Sequence, residues 1–220
     1  MIRRPIANDD IAAYAMAHSS PPDEILDALK SETREVTGAA SVMQIGADQG
    51  AFMTLMSRLL RPSLAIEVGT FTGYSSICIA RGLADEGKLV CCDTNEMWTS
   101  IARKYWILAG LESKVELWLG PALDTLTSLP VDQQIDLAFI DADKTEYQAY
   151  FELILERLAP QGVILVDNTL WEGEVLPSRR TNNPDTLALR SFNDSIVNDQ
   201  RVLVSQLTIG DGLSLICRKL

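Results

Sequence analysis

Acidic and amide side chains follow two apolar segments of the sequence, and their types suit metal chemistry. The sequence Asp-Ala-Asp-Lys at residues 141–144 follows one of these segments, and Asp167-Asn168 follows the other. Carboxylate and amide oxygens are the ligands that a hard cation such as Mg²⁺ prefers. If the fold brings together the side chains of Asp141, Asp167 and Asn168, the sequence predicts a magnesium site. The alternative is that these residues are solvated loop carboxylates and helix caps.

The segments around these residues predict a strand–helix–strand unit. Residues 135–140 and 163–166 are apolar runs of strand length, and residues 146–158 between them carry apolar side chains at helical spacing. Such a crossover makes the two strands parallel, so their carboxyl ends reach the same edge of the sheet, where open α/β sheets bind ligands. Because neighbouring strands lie ~4.8 Å apart, the three side chains can converge.

The rest of the chain extends this alternation of strands and helices. We predict three helical pieces within residues 9–61, followed by an α/β region. Its predicted strands are residues 64–68, 88–92, 115–119, 135–140, 163–166, 202–209 and 213–218. Its predicted helices are residues 74–83, 96–109, 122–129, 146–158 and 185–197. This order favours a doubly wound, mostly parallel, seven-stranded α/β sheet. The turn Gly210-Asp211-Gly212 is too short for a crossover, so it predicts a C-terminal antiparallel hairpin.

Composition excludes several classes of protein. The 220 residues, 47% hydrophobic and 22% charged, fit one soluble domain, and no apolar run reaches the ~20 residues of a membrane span. Residues 1–5 include two arginines but lead into no apolar segment, so we predict no signal peptide. The net charge of −11 argues against a nucleic-acid partner. A cytoplasmic location is expected.

Cysteine and histidine offer little chemistry here. Cys78, Cys91, Cys92 and Cys217 lie mostly within apolar runs and lack metal-binding spacing. We interpret them as buried thiols in a reducing compartment, with a disulfide or zinc role as the alternative. The single histidine, His18, is far from the acidic residues in sequence. Catalysis must therefore proceed without a central histidine.

A glycine-containing segment follows the first predicted strand. Residues 67–75 read Glu-Val-Gly-Thr-Phe-Thr-Gly-Tyr-Ser, in which Gly69 and Gly73 permit a tight turn and close approach to a ligand. The spacing differs from the pyrophosphate-binding G-x-G-x-x-G, and Glu67 would repel a phosphate. Asp93, after the second strand, can bind ribose hydroxyls. These acids suit a positively charged nucleoside such as S-adenosylmethionine (SAM); a packing turn without a ligand is the alternative.

Five motifs in this order resemble the cation-dependent O-methyltransferases related to caffeoyl-CoA and catechol O-methyltransferases. They are residues 67–75, Gly-Pro-Ala-Leu at 120–123, Phe-Ile-Asp-Ala-Asp-Lys at 139–144, Asp-Asn-Thr-Leu-Trp at 167–171 and Gly-Asp-Gly at 210–212. The resemblance spans roughly residues 20–220. It implies a class I methyltransferase fold, which is Rossmann-like, and a homodimer. We expect one domain, with residues 1–61 as a helical lid or dimerisation segment and residues 62–220 as the SAM-binding core.

The resemblance also implies roles for individual residues. SAM contacts are implied for Met43, Glu67, Gly69, Thr70, Ser75, Asp93, Ala122, Asp141 and Asp143. A divalent cation, by preference Mg²⁺, is implied on Asp141, Asp167 and Asn168, as the spacing had indicated. Catalysis is implied for Lys144 as the base, beside Asp141. Predicted substrate contacts are Lys144, Asn168, Trp171 and Glu172. In the alternative interpretation Lys144 is only an ion-pair partner and Trp171 is ordinary core.

The sequence thus predicts methyl transfer from SAM to a hydroxyl of a catechol-type small molecule, with secondary-metabolite intermediates among the candidates. A free catechol is preferred over a CoA ester, because basic residues near the site are few and Glu172 replaces the asparagine typical of the plant enzymes. CoA esters remain the alternative substrate class. A nicotinamide-dependent oxidoreductase would need the absent glycine pattern. A non-catalytic SAM-binding protein would be expected to lose Lys144 or a metal ligand.

Overall fold

The computed structural model of the protein describes residues 9–130 and 132–219. Residues 1–5, on which the prediction about a signal peptide depends, lie outside the described residues. Within the described residues, no helix is both long enough and apolar enough to cross a membrane.

Three α-helices precede the sheet, as the sequence predicts. They are α1 (Asp9–Ala17), α2 (Glu24–Thr37) and α3 (Ala47–Leu60), and a 3₁₀ helix at Gly38–Met43 lies between the last two. The start of α2 is stabilised by Asp23, whose side chain accepts a hydrogen bond from the backbone N–H of Leu26 at 3.1 Å. The 3₁₀ helix was not predicted.

The α/β region that follows has these elements: β1 (Leu64–Val68), α4 (Tyr74–Ala80), β2 (Lys88–Asp93), α5 (Glu96–Leu108), β3 (Val115–Leu119), α6 (Ala122–Ser128), β4 (Ile135–Ile140), α7 (Tyr147–Arg157), β5 (Leu158–Val166), α8 (Pro184–Asn198), β6 (Val202–Leu207) and β7 (Leu213–Arg218). Short 3₁₀ helices lie at Lys144–Glu146 and Trp171–Gly173. The alternation matches the prediction, and most predicted boundaries are within three residues.

The start of β5 is the main difference from the predicted boundaries. The sequence pattern predicts that β5 begins at residue 163, but pairing already begins at Leu158, opposite Ile135. The register then shifts, and regular pairing resumes at Val163 opposite Leu137. Pro160 and Gly162 lie in this irregular stretch and interrupt the apolar pattern, so the sequence signal begins only after them.

The seven strands form one sheet in the order β3-β2-β1-β4-β5-β7-β6. β1 to β5 pair in parallel, and β7 pairs antiparallel with both β5 and β6. The predicted doubly wound sheet with a C-terminal antiparallel hairpin is therefore confirmed. The carboxyl ends of the parallel strands share one edge, which we call the carboxyl edge.

The core has two parts, one on each face of the sheet. One apolar cluster includes residues of α2 to α5, and the other includes residues of α6 to α8. Adjacent Cys91 and Cys92 point to opposite faces and belong to different clusters, as alternation along a strand requires. All four cysteines are free thiols, as predicted, and Cys78, Cys91 and Cys92 are buried. Cys217 is only half-buried, so the prediction of burial is wrong for this residue.

Candidate active site

Asp141 and Asp167 lie at neighbouring positions of the carboxyl edge, directly after β4 and β5. The backbone N–H of Asp141 donates to the Val68 carbonyl at 2.8 Å, and that of Asp167 donates to the Ile140 carbonyl at 3.0 Å. These bonds continue the parallel ladder by one residue beyond β4 and β5. The structure therefore brings the two carboxylates together, because the pairing of Ile140 with Val166 fixes the residues that follow.

Asp167 is an acid in an unfavourable environment for its charge. It is 3% exposed, and burial together with the charge of Asp141 raises its pKa well above the ordinary value. Gln49 of α3, the backbone N–H of Asn168 at 2.7 Å and Lys144 offset this only in part. Sequence reasoning missed Gln49, since a single glutamine in an apolar helix carries no signal of its own.

The residues at this edge fit a divalent cation. Two neighbouring carboxylates share one ion-paired lysine, so a further positive charge would relieve their repulsion. Asn168 follows Asp167 in a left-handed conformation with φ 57° and contributes a third oxygen-bearing side chain to the edge. Across residues 9–130 and 132–219, no three His, Cys, Asp or Glu side chains form a metal cluster. The predicted trio contains only two such residues, so that finding does not test it.

Lys144 lies at the start of the short 3₁₀ helix after β4. Its Nζ donates to Asp141 Oδ1 at 3.0 Å, and both side chains are mostly buried. The same Nζ lies 5.1 Å from the centre of the Tyr147 ring and 5.8 Å from that of Trp171. Such contacts are favourable for an ammonium group. Lys144 is thus ion-paired and also faces the aromatic residue predicted to contact the substrate.

Glu67 is the other buried acid of the carboxyl edge. It is fully buried, and burial raises its pKa to about 8 although the nearby Ser75, Cys91 and Thr70 lower it in part. Among the described residues, neither of its carboxylate oxygens has a partner with hydrogen-bond geometry. A buried acid with unused oxygens is suited to a cationic ligand close by.

The loop after β1 lies against the carboxyl edge and is shaped by Asp93. Gly69 has φ 90°, and a Cβ atom there would overlap the carbonyl oxygen of Asp141. Asp93 Oδ2 accepts hydrogen bonds from the N–H groups of Thr70 at 3.0 Å and Phe71 at 2.8 Å. Its Oδ1 accepts from Asn95 N–H at 2.7 Å. Because a carboxylate has about four acceptor positions, Asp93 retains capacity for a ribose hydroxyl.

Three further predicted SAM contacts lie outside the loop after β1, in three other parts of the chain. Met43 ends the 3₁₀ helix after α2 and is exposed, whereas Ala122 begins α6 and is buried. Asp143 is exposed directly before the 3₁₀ helix that begins at Lys144. None of the three makes a side-chain contact that identifies its role.

Trp171 and Glu172 follow β5 in an unusual conformation. Both are left-handed, with φ 48° and 49°. Trp171 is half-buried and packs against the apolar cluster of α6 to α8, so its core interpretation holds in part. Glu172 is exposed, and its N–H donates to Asp211 Oδ1 at 2.6 Å. Asp211 was recognised in the sequence only as a turn residue.

The sheet order, with an antiparallel strand between β5 and β6, is that of class I methyltransferases, and acids at the carboxyl edge complete the pattern. A family model described as O-methyltransferase matches residues 16–220. The chain is 38% identical over 215 residues to Probable caffeoyl-CoA O-methyltransferase 2 of Dictyostelium discoideum, covering 96% of this chain and 92% of that protein.

Solved structures agree with this match. An O-methyltransferase from Bacillus cereus in complex with SAH has a TM-score of 0.85 and 31% identity, with 96% of this chain and 97% of that chain covered. The O-methyltransferase TomG from Streptomyces achromogenes, in complex with SAM, has a TM-score of 0.85 and 27% identity, with 96% of each chain covered. The chain belongs to the O-methyltransferase family, and it is a SAM-dependent O-methyltransferase. The resemblance predicted from its motifs is confirmed.

Proposed function

We propose that this enzyme methylates a hydroxyl of a catechol-type small molecule and requires a divalent cation, with Mg²⁺ as the first choice. One observation carries the proposal. Asp141, bonded to Lys144 and next to buried Asp167, occupies the carboxyl edge, and Trp171 faces the same lysine. An oxygen-rich cation site, a base and an aromatic wall are the groups that such a reaction needs.

The donor side of the site would bind SAM. Transfer of a methyl group from a sulfonium to oxygen is an in-line displacement, so positioning matters most. Gly69 lets the loop after β1 pack directly on the Asp141 backbone, and Glu67 and Asp93 offer carboxyl oxygens beside that loop. The proposed SAM contacts are Met43, Glu67, Gly69, Thr70, Ser75, Asp93, Ala122, Asp141 and Asp143.

The acceptor side would bind the hydroxyl and remove its proton. Asp141, Asp167 and Asn168 would hold the cation, which when bound supplies Lewis acidity that favours the ionised hydroxyl. Lys144, in its neutral form, accepts the proton at Nζ, while Asp141 fixes the position of that atom. Trp171 and Glu172 line the acceptor together with Lys144 and Asn168.

Removal of divalent cations tests the metal requirement. We expect excess EDTA to abolish methylation of a catechol panel, and added Mg²⁺ to restore it. Calorimetry should show that SAM still binds in EDTA, because the donor-side loop lies after β1 rather than after β5. Calorimetry with NAD serves as a control against an oxidoreductase. Full methylation activity in EDTA would contradict the proposal.

A CoA ester is a second candidate substrate, and one feature favours it. A cleft of about 570 Å³ is formed by residues that come after Trp171 in the chain. It is lined by Pro177, Arg179, Arg180, Thr181, Asn182 and Arg190. Arg190, however, donates to three backbone carbonyls, those of Glu174, Leu176 and Arg179. Arg179 lies 3.9 Å from Glu174. Among the described arginines of this cleft, Arg180 is therefore the best placed to bind a phosphate.

Kinetics with caffeoyl-CoA and with free caffeate would decide between these substrates. If the CoA ester is preferred, Arg180→Ala should raise its KM and leave that of caffeate unchanged. If the free catechol is preferred, as we propose, the wild-type kcat/KM should be higher for caffeate and Arg180→Ala should affect neither substrate.

We further propose that the enzyme is a cytoplasmic homodimer. Large apolar side chains of the N-terminal region are exposed, among them Val42 at 86% and Leu59 at 79%. A second copy would cover such a surface. The free thiols of Cys78, Cys91, Cys92 and Cys217 suit a reducing compartment.

A further inference from the structure

The turn between β6 and β7 binds the backbone of residues 168–172, which we call the acceptor segment. The carbonyl of Gly212 accepts from Thr169 N–H at 3.0 Å, and that of Asp211 accepts from Leu170 N–H at 3.0 Å. The Asp211 side chain then accepts from Glu172 N–H at 2.6 Å. Two consecutive turn residues thus hold three of the five residues in the segment.

The acceptor segment has a backbone that needs such support. Asn168, Trp171 and Glu172 all have positive φ, at 57°, 48° and 49°. Residues other than glycine rarely adopt this conformation, and it persists only where surrounding contacts enforce it. The Asp211 carboxylate binds the N–H of Glu172, directly after Trp171.

Other elements leave the segment little freedom. The Thr169 carbonyl accepts from Asn193 Nδ2 of α8 at 2.8 Å and from Gln206 Nε2 of β6 at 3.0 Å. A Cβ atom at Gly212 would overlap Leu170, so the turn packs directly on the segment. The part that follows Leu170, where Trp171 lies 5.8 Å from Lys144 Nζ, is held from outside by the Asp211 carboxylate. Within it, the Leu170 and Trp171 carbonyls accept hydrogen bonds from the N–H groups of Gly173 at 2.9 Å and Glu174 at 2.7 Å.

We propose that Asp211 is a positioning residue that determines acceptor specificity. Its carboxylate holds Trp171 and Glu172 in the left-handed conformation, and this fixes the aromatic wall against which an acceptor lies. The inference rests on the proposed function, because it assigns the wall to a catechol acceptor. Asp211 itself acts through the backbone of Glu172.

Three substitutions separate geometry from charge. Asp211→Ala removes the acceptor, Asp211→Glu keeps the charge but moves it by one methylene, and Asp211→Asn keeps an oxygen at the same place without the charge. The readouts are KM for caffeate, the ratio of its two monomethyl products, the dissociation constant for SAM, and hydrogen exchange of residues 168–173. Hydrogen exchange does not depend on turnover.

We expect Asp211→Ala and Asp211→Glu to raise KM for caffeate by about tenfold, in line with loss of one hydrogen bond. The product ratio should change and exchange of the acceptor segment should accelerate, while SAM affinity stays at the wild-type value. Asp211→Asn should resemble the wild type. If Asp211→Ala does not fold, Asp211→Glu provides the same comparison.

An unchanged product ratio and unchanged exchange in the Ala and Glu variants would overturn the inference. Equal effects of Asn and Ala would also overturn it, since charge rather than position would then matter. If the wild-type enzyme binds SAM but methylates no catechol, the proposed function fails. The exchange comparison then decides separately whether Asp211 holds the segment.

Discussion

At the scale of single residues, Lys144 has contacts that fit two roles. Its 3.0 Å ion pair with Asp141 is what a purely structural lysine would make. Its position beside the rings of Tyr147 and Trp171 is what a base facing an aromatic acceptor would need. Because both contacts coexist, only kinetics separates the roles.

Lys144→Met should lower kcat by ~10²–10⁴-fold at neutral pH if Lys144 is the general base. SAM affinity should be unchanged, and residual activity should rise with pH as the hydroxyl ionises without assistance. Lys104→Met is a matched control, since Lys104 forms an exposed ion pair with Glu32 at 2.6 Å. A near-normal kcat for Lys144→Met would show that the lysine is only an ion-pair partner.

Glu67 should make the stability of the ligand-free enzyme depend on pH. Its pKa is about 8 in the folded protein, against 4.5 for an ordinary glutamate, because it is fully buried. Between these values the folded state holds a proton that the unfolded state has lost, so the free energy of unfolding falls as pH rises. The slope from one such group reaches about 1.4 kcal/mol per pH unit.

Urea unfolding of the wild type and of Glu67→Gln across this interval measures the effect. Glutamine does not titrate, so the stability of the wild type relative to the variant should decline from about pH 5 to about pH 8. Below pH 4.5, the ordinary pKa of a glutamate, the difference in stability between the wild type and the variant should not change with pH. Parallel pH profiles for the two proteins would mean that Glu67 is already ionised in the folded state.

At the scale of elements, the loop after β1 depends on a side chain from β2. Asp93 accepts hydrogen bonds from Thr70 and Phe71 in that loop, so it shapes the donor side even before any ribose contact. The sequence assigned Asp93 only the ribose role. Its structural role could not be predicted, because it depends on how closely β1 and β2 are aligned.

Asp93→Ala should weaken SAM binding by ~1.5–3 kcal/mol, as expected for loss of hydrogen bonds to a charged acceptor. Asp93→Asn retains one acceptor oxygen and should lie between the wild type and Ala. Calorimetry measures both, and circular dichroism checks folding. An unchanged dissociation constant in a folded Asp93→Ala protein would place this residue outside the donor site.

The elements also explain what could be predicted from the sequence. A helical crossover between β4 and β5 requires parallel strands, so the proximity of Asp141 and Asp167 follows from local patterns. Gln49 and Asp211 come from α3 and from a distant turn, and no local pattern connects them with Asp167 or Glu172. Long-range packing, not spacing, brings these residues to the site.

At the scale of the whole molecule, the exposed apolar surface of the N-terminal helices predicts self-association. Light scattering at micromolar concentration should give twice the 24.2 kDa chain mass. Leu59→Glu should shift the protein toward a monomer, because it places a charge on a 79% exposed apolar position. Val197→Glu, at 68% exposure on α8, is the control. A wild-type mass of 24.2 kDa would contradict the homodimer.

The division of the chain into a helical lid or dimerisation segment, residues 1–61, and a SAM-binding core, residues 62–220, stays a prediction.

The place of β7 between β5 and β6 has a consequence for biosynthesis. β7 is made after both β5 and β6, yet it lies between these two strands in the sheet. Until it emerges, the edge of β5 is open and β6 has no partner in the sheet, and open edges invite pairing with other chains. The turn that carries Asp211 is completed at the same stage. Nascent chains of this enzyme should therefore rely on chaperones until β7 inserts, and the hydrogen bonds from the acceptor segment to Asp211 and Gly212 should form only at that stage.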